Sequence, residues 1–217
     1  MDIPALLADA LTAPAGVAIV VAYLLGSVPF GLLFAKFKGV DLRTVGSGNI
    51  GATNTVRAIG KVWGGAAFLL DLGKGWFPAF VLAPLLAEPE RVLVLQVACG
   101  AAATIGHCFP VYLRFRGGKG VATGCGAIIA IDPVVFLVAG AVWLVVLFTT
   151  RYVGLASLLM GVTFPIAAAF RRVPDGSWAL VIGAIWLALL ILVRHRTNIA
   201  RMIAGTEPRS GGPKSKS

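Results

Sequence analysis

The chain has 217 residues, 58% of them hydrophobic and 13% charged, with a mean hydropathy of +0.90 and a formal net charge of +10. Soluble domains run at roughly 45–50% apolar and about 25% charged, so a soluble globular enzyme is excluded, as are a disordered chain and a fibrous repeat. The apolar residues recur in long runs separated by short polar patches, the pattern of an all-α, polytopic integral membrane protein.

The first ten residues carry Asp2 and Asp9 and no basic n-region, so the first apolar run is expected to be retained rather than cleaved. A helix crossing about 30 Å of hydrocarbon needs about 20 residues. Runs at 16–35, 62–87, 92–113, 134–150, 152–170 and 177–193 fit that length. The second contains Asp71 and Lys74 at i, i+3, the spacing at which opposite charges neutralise each other inside a membrane helix, and the pair is expected to be structural. The third contains Gln96 and His107. His107, just ahead of Cys108, Phe109 and Pro110, is read equally as packing or loop support and as ligand contact. Residues 121–131 make only about 16 Å of helix at 1.5 Å per residue and read as a short separate crossing ahead of Pro133. Cys99, Cys108 and Cys125 lie in or beside apolar runs without CxxC spacing, which suits small buried hydrophobes rather than a disulfide framework or a zinc site.

Loop charge orients the spans, because cytoplasmic loops carry the excess of Lys and Arg. Seven crossings, one of them short, with the N-terminus outside and the C-terminus cytoplasmic, put Lys36, Lys38, Arg43, Arg57, Lys61, Arg114, Arg116, Lys119, Arg151 and the basic stretch from Arg194 onward inside. Only Arg91, Arg171 and Arg172 fall outside. Fusing 121–149 into one helix would move Arg151 and the basic tail to the outer face, and is rejected. Residues 1–205 read as one transmembrane domain, and 206–217, polar and rich in Gly, Pro and Ser, as a disordered tail. The net charge of +10 lies at span ends without an RNA-binding signature, so the expected partner is anionic membrane lipid and not nucleic acid.

Three polar segments are expected on the cytoplasmic face. The first is GSGNIGATNTVR, residues 46–57. Gly46, Gly48 and Gly51 let backbone N–H groups turn toward a ligand, Ser47, Asn49, Thr53 and Asn54 add neutral hydrogen-bonding groups, and Arg57 adds a donor fork matched to phosphate. The composition suits an anion cradle; a flexible loop rich in turn formers is the plainer reading. The second is FRGGKGVATG, residues 115–124, with Gly117, Gly118 and Gly120 around Lys119. A helix starting near Val121 would aim its N–H groups at that loop; otherwise Lys119 anchors a helix at the interface. GxxxxGK[ST] cannot be fitted around Lys119, which Gly120 follows, so a Walker A loop is excluded. The third is split between 151–157, with Ser157 near a helix end, and HRTNIARMIAGTE, 195–207. His195 and Asn198 share a helical face if the last helix runs on past Arg194.

GSGNIGATNTVR, LLDLGKG at 69–75, GHCFPVYLRFRGGKGVATG at 106–124, RYVGLAS at 151–157 and RHRTNIARMIAGTE at 194–207 together resemble the motifs of the bacterial acyl-phosphate:glycerol-3-phosphate acyltransferases. The resemblance implies a seven-helix plasma-membrane enzyme that moves a fatty acyl group from acyl phosphate to the 1-hydroxyl of sn-glycerol 3-phosphate, giving lysophosphatidic acid and phosphate, with no cofactor. Matched by motif, Ser47 and Arg57 correspond to functional residues of the first segment, Lys119 and its glycines to the phosphate loop, and His195 and Asn198 to the third, with Glu207 structural. Gly154 departs from the pattern, which has serine directly before this leucine, and Ser157 is expected to stand in.

Acyl phosphate is a mixed anhydride with a good leaving group, so the protein chiefly needs to hold two phosphates, orient a hydroxyl and stabilise oxyanion charge; a covalent intermediate is unnecessary. Asp41 and Glu207 are the only acidic residues on the expected inner face and lie outside the glycine motifs. The base is therefore His195 or a substrate phosphate oxygen, with the phosphate favoured. HxxxxD is absent, since Tyr112 follows His107 and Ala200 follows His195 at that distance. A transporter of phosphate-bearing solutes is the alternative function; against it, neither glycine motif has a second copy.

Overall fold

The computed structural model of the chain describes residues 13–171 and 178–211. Asp2 and Asp9, Arg172, and Lys214 and Lys216 of the tail lie outside the described residues. Every regular element among those described is helical, and the chain forms two compact units, divided between residues 131 and 132. Five helices are long and apolar enough to cross a membrane, six if a bent pair counts as one, among the described residues.

In the first unit α1 (Ala13–Gly26) and α2 (Phe30–Phe37) belong to one apolar stretch, Pro14–Phe37. Pro29 interrupts it, because proline has no N–H to donate and its ring clashes with the preceding turn. Next come α3 (Ala52–Ile59) and α4 (Lys61–Phe77), the latter extended by a wide π-type turn at Pro78–Leu82 and by α5 (Ala83–Leu86). The unit closes with α6 (Val92–Cys108) and α7 (Val121–Ile131).

Small residues bring these helices together, as they do in membranes, where packing rather than water exclusion drives association. Ala15, Ala18 and Ala22 of α1 form one buried cluster with Ala83, Leu95, Cys99, Ala102 and Ala103. Gly26 lies against the Ala103 carbonyl and Gly106 against the Tyr23 carbonyl, so closely that neither has room for a Cβ. Gly75 of α4 meets the Thr123 carbonyl in the same way, and Gly126 of α7 that of Leu72. The 11-residue α7 has Thr123, Gly124, Cys125, Gly126, Ala127, Ile128 and Ala130 buried, so it is an internal helix of its unit.

Asp132 separates α7 from the next helix. Its carboxylate accepts from the Val134 N–H at 2.9 Å and the Val135 N–H at 3.3 Å, with Pro133 as first helical residue, a strong start signal. The second unit contains α8 (Pro133–Thr150), α9 (Val153–Arg171), α10 (Ala179–Arg194) and α11 (Arg196–Ile203), with α9 packed on both α8 and α10. Arg171 Nε pairs with Asp132 Oδ2 at 3.1 Å. The last helix does not run straight past Arg194: α10 and α11 meet at 54°, with His195 at the bend.

Residues 206–211, read from sequence as disordered, are instead tied to their unit. The Ser210 N–H donates to the Arg151 carbonyl at 2.7 Å, and Arg209 lies over the Tyr152 ring and bonds its hydroxyl at 3.3 Å.

Candidate active site

The segment 46–57 is built around one buried amide. Asn54, 2% exposed, accepts the Ser47 N–H on Oδ1 at 3.1 Å and donates from Nδ2 to the Leu42 and Val45 carbonyls, each at 3.0 Å. Its hydrogen-bonding groups are engaged inside the loop, where the sequence reading expected a substrate contact. Gly46, at φ +60°, could not carry a Cβ, which would lie 2.5 Å from Asn54 Oδ1. Gly48 is also left-handed, at φ +68°. Asn49 Oδ1 accepts the N–H of Gly51, the residue that precedes α3, at 2.9 Å. Buried Leu42, Asn54 and Thr55 thus hold a scaffold, while Ser47, Thr53 and Arg57 are exposed. Thr53 and Arg57, four apart, share one face of α3.

The second segment lies against the end of α6. The Gly117 N–H donates to the Cys108 carbonyl at 3.2 Å and the Gly118 N–H to the His107 carbonyl at 3.0 Å. Those two amides are engaged with the end of α6, and the positions call for glycine because Gly117 abuts the His107 carbonyl and Pro110, and Gly118 the His107 ring. Gly120, at φ +79°, turns the chain into α7, with Thr104 and Cys108 where a side chain would go. Lys119 is half-buried between these glycines. The positive features left in the segment are the exposed Arg116, the Lys119 ammonium and the first turn of α7, whose N–H groups have no partners within the helix.

Behind this segment is a buried charge cluster that sequence reading saw only in part. Asp71 and Lys74 pair at 2.7 Å, and His107 Nδ1 comes within 3.6 Å of the same Asp71 oxygen. Lys74 Nζ also donates to the Val28 carbonyl at 2.7 Å and stands 5.6 Å from the Phe30 ring. It thereby satisfies an acceptor at the break before Pro29. The i, i+3 spacing found the pair; the position of His107 in the same motif as GGKG was the signal for the third member.

In the second unit Ser157 is buried and its hydroxyl is engaged: it donates to the Val153 carbonyl at 2.9 Å and accepts from Trp143 Nε1 at 3.3 Å. This is the usual back-bond of a helical serine, and both contacts lie within the protein, where the sequence reading expected a substrate-binding hydroxyl. Asn198 Nδ2 donates to Glu207 Oε1 at 2.6 Å, and Arg201 Nε donates to Glu207 Oε2 at 2.7 Å. Gly154 makes room for Asn198, whose Nδ2 would stand 2.9 Å from any Cβ there; that contact accounts for glycine at this position. His195 is 2% exposed, with Nδ1 2.8 Å from the Ile191 carbonyl. A carbonyl only accepts, so Nδ1 carries the proton, and in the neutral ring Nε2 presents its lone pair.

Neither acidic residue suits a general base. Asp41 is paired with Arg43 at 2.7 Å, and the Arg43 hydrogen bonds hold its carboxyl at about 2, too acidic to draw a proton from an alcohol. Glu207 is occupied by Asn198 and Arg201.

The profile of the family described as glycerol-3-phosphate acyltransferase matches residues 16–205. A glycerol-3-phosphate acyltransferase of Dinoroseobacter shibae is 48% identical over 207 residues, 94% of this chain and 97% of that one. One of Aquifex aeolicus is 44% identical over 191 residues, 88% and 96% of the two chains. The crystal structure of PlsY (YgiH), an integral membrane glycerol 3-phosphate acyltransferase, in its glycerol 3-phosphate form is 40% identical and superposes with a TM-score of 0.84, covering 92% of this chain and 96% of that one. Its lysophosphatidic acid form gives a TM-score of 0.82 at 38% identity over the same shares. With the family match extending from the first apolar run through α11, this integral membrane chain belongs to the glycerol-3-phosphate acyltransferase family.

Proposed function

We propose that this chain transfers a fatty acyl group from acyl phosphate to the 1-hydroxyl of sn-glycerol 3-phosphate, releasing lysophosphatidic acid and inorganic phosphate for phospholipid synthesis. The observation that carries the reading is the relative, 40% identical, solved in a glycerol 3-phosphate form and also in a lysophosphatidic acid form: acceptor and product of one acyl transfer. Residue type supports the donor assignment: a leaving phosphate calls for fixed cations, and the two glycine segments carry Arg57, Arg116 and Lys119.

Arg57 and Lys119 hold the phosphates. The side chains of Ser47, Asn49 and Thr53, on a loop that turns at Gly46 and Gly48, orient the glycerol and the reacting carbonyl, and Asn54 acts as the positioning residue beneath them. Gly117, Gly118 and Gly120 fix Lys119 and the first turn of α7. In the second unit, His195 and Asn198 are the functional residues proposed from their motif, with Asn198 held by Glu207. The acceptor hydroxyl attacks the acyl carbon, the tetrahedral oxyanion collapses, and the C–O bond to phosphate breaks. The hydroxyl proton passes to a substrate phosphate oxygen, with no acyl-enzyme formed. The loop-charge bias supports seven crossings, N-terminus outside, and a cytoplasmic site in the bacterial inner membrane.

The test is purified protein incubated with carbonyl-labelled palmitoyl phosphate, first alone and then with glycerol 3-phosphate. The label stays off the protein in the first case and appears as the 1-acyl product in the second. Labelled protein, or acylation at the 2-position, would overturn the proposal.

A further inference from the structure

A buried Asp–Lys–His cluster in a membrane unit is costly. Charges in hydrocarbon persist only where they are paired and put to use, and helix packing alone would be served as well by aliphatic side chains. His107 stands apart from the other two because it touches the glycine segment twice. Its carbonyl accepts the Gly118 N–H at 3.0 Å, and its ring lies where a Gly118 side chain would have to go, with Nε2 the nearest atom. The opposite ring nitrogen, Nδ1, faces Asp71 at 3.6 Å, and Asp71 is itself fixed by Lys74. The ring is thus wedged between a pinned carboxylate and the backbone immediately before Lys119.

We propose that His107 is the positioning residue of the Lys119 loop: its ring, seated on the Asp71–Lys74 pair, is the surface on which Gly118 rests, and so fixes where the Lys119 charge lies. This rests on the phosphate-holding role of Lys119 proposed above. The ring acts by its bulk and its anchoring, and no proton or bond changes hands. Since Gly118 leaves no space over the ring, a methyl group at 118 lifts the loop, and shortening residue 107 makes room for that methyl.

The experiment is a double-mutant cycle with two readouts. Gly118→Ala is expected to lower kcat/KM at least about tenfold, chiefly by raising KM for palmitoyl phosphate, and Gly118→Ala with His107→Ala to recover at least about threefold over Gly118→Ala alone, within the coupling range of contacting residues. Hydrogen exchange of the peptide covering 115–121 rises in Gly118→Ala and falls back in the double variant. If His107→Ala does not fold, His107→Asn, which also shortens the side chain, takes its place. A double variant as impaired as Gly118→Ala or worse, as expected for an imidazole that binds substrate itself, overturns the inference, as does exchange unmoved by either change. Lys119→Met separates the two readings. Full activity in that variant would sink the phosphate role, while the exchange readout, independent of catalysis, still judges the contact between 107 and 118.

Discussion

Asn54→Ala removes three hydrogen bonds at once, those to the Ser47 N–H and to the Leu42 and Val45 carbonyls. At about 0.5–1.5 kcal/mol net for each, the loop conformation loses roughly 2–4 kcal/mol, which at 1.36 kcal/mol per decade corresponds to about 30- to 10³-fold in kcat/KM if the transition state needs the loop intact. Ser47 is exposed, so water replaces the lost partners in the opened loop, and the midpoint of thermal unfolding in detergent is expected to move little while activity falls. Asn54→Asp is the sharper variant. It keeps an acceptor for the Ser47 N–H but turns both carbonyl contacts repulsive, so its activity should be no better than that of the alanine variant. Initial rates of lysophosphatidic acid formation, with hydrogen exchange across 42–48, measure both effects. Activity within twofold of wild type in Asn54→Ala, or unchanged exchange in that loop, would refute the staple argument.

Other consequences are as direct. Arg57→Lys keeps the charge but loses the planar fork; the loss of a charge-assisted bond worth about 1.5–3 kcal/mol should lower kcat/KM about 10- to 100-fold in steady-state assays with both substrates varied. Glu207→Ala strands Asn198 and Arg201 and should destabilise the second unit by about 2–3 kcal/mol, read as a lower unfolding temperature in detergent, while Glu207→Gln, which keeps an acceptor, loses less. Asp41, lowered from 3.8 to about 2 by Arg43, contributes its stabilisation above about pH 4 and loses it as the pH falls toward 2. It stays ionised through pH 5–9, so the rate profile of Asp41→Asn should match that of wild type over that window.

The helices were legible because length and hydropathy decide them. The runs at 62–87, 134–150 and 152–170 agree with Lys61–Leu86, Pro133–Thr150 and Val153–Arg171 to within a residue at every end. The bend at His195 was not legible, because the apolar run ends at Val193 and periodicity carries no signal where the side chains turn polar. In the segments expected to form the site, Ser47 and Arg57 stand exposed, while Asn54, Ser157 and the amides of Gly117 and Gly118 are engaged inside the protein; that difference was not legible, since the groups that suit a ligand also suit the backbone beside them, and only tertiary placement says which partner is taken. Glu207 was assigned to structure on its motif, and its two bonds to Asn198 and Arg201 are of that kind.

The donor is the point on which the account most depends. Purified protein supplied with glycerol 3-phosphate and either palmitoyl phosphate or palmitoyl-CoA should release phosphate and form lysophosphatidic acid one for one from the first and form no product from the second. Product from the thioester, or phosphate release from palmitoyl phosphate without lysophosphatidic acid, would contradict the proposed reaction.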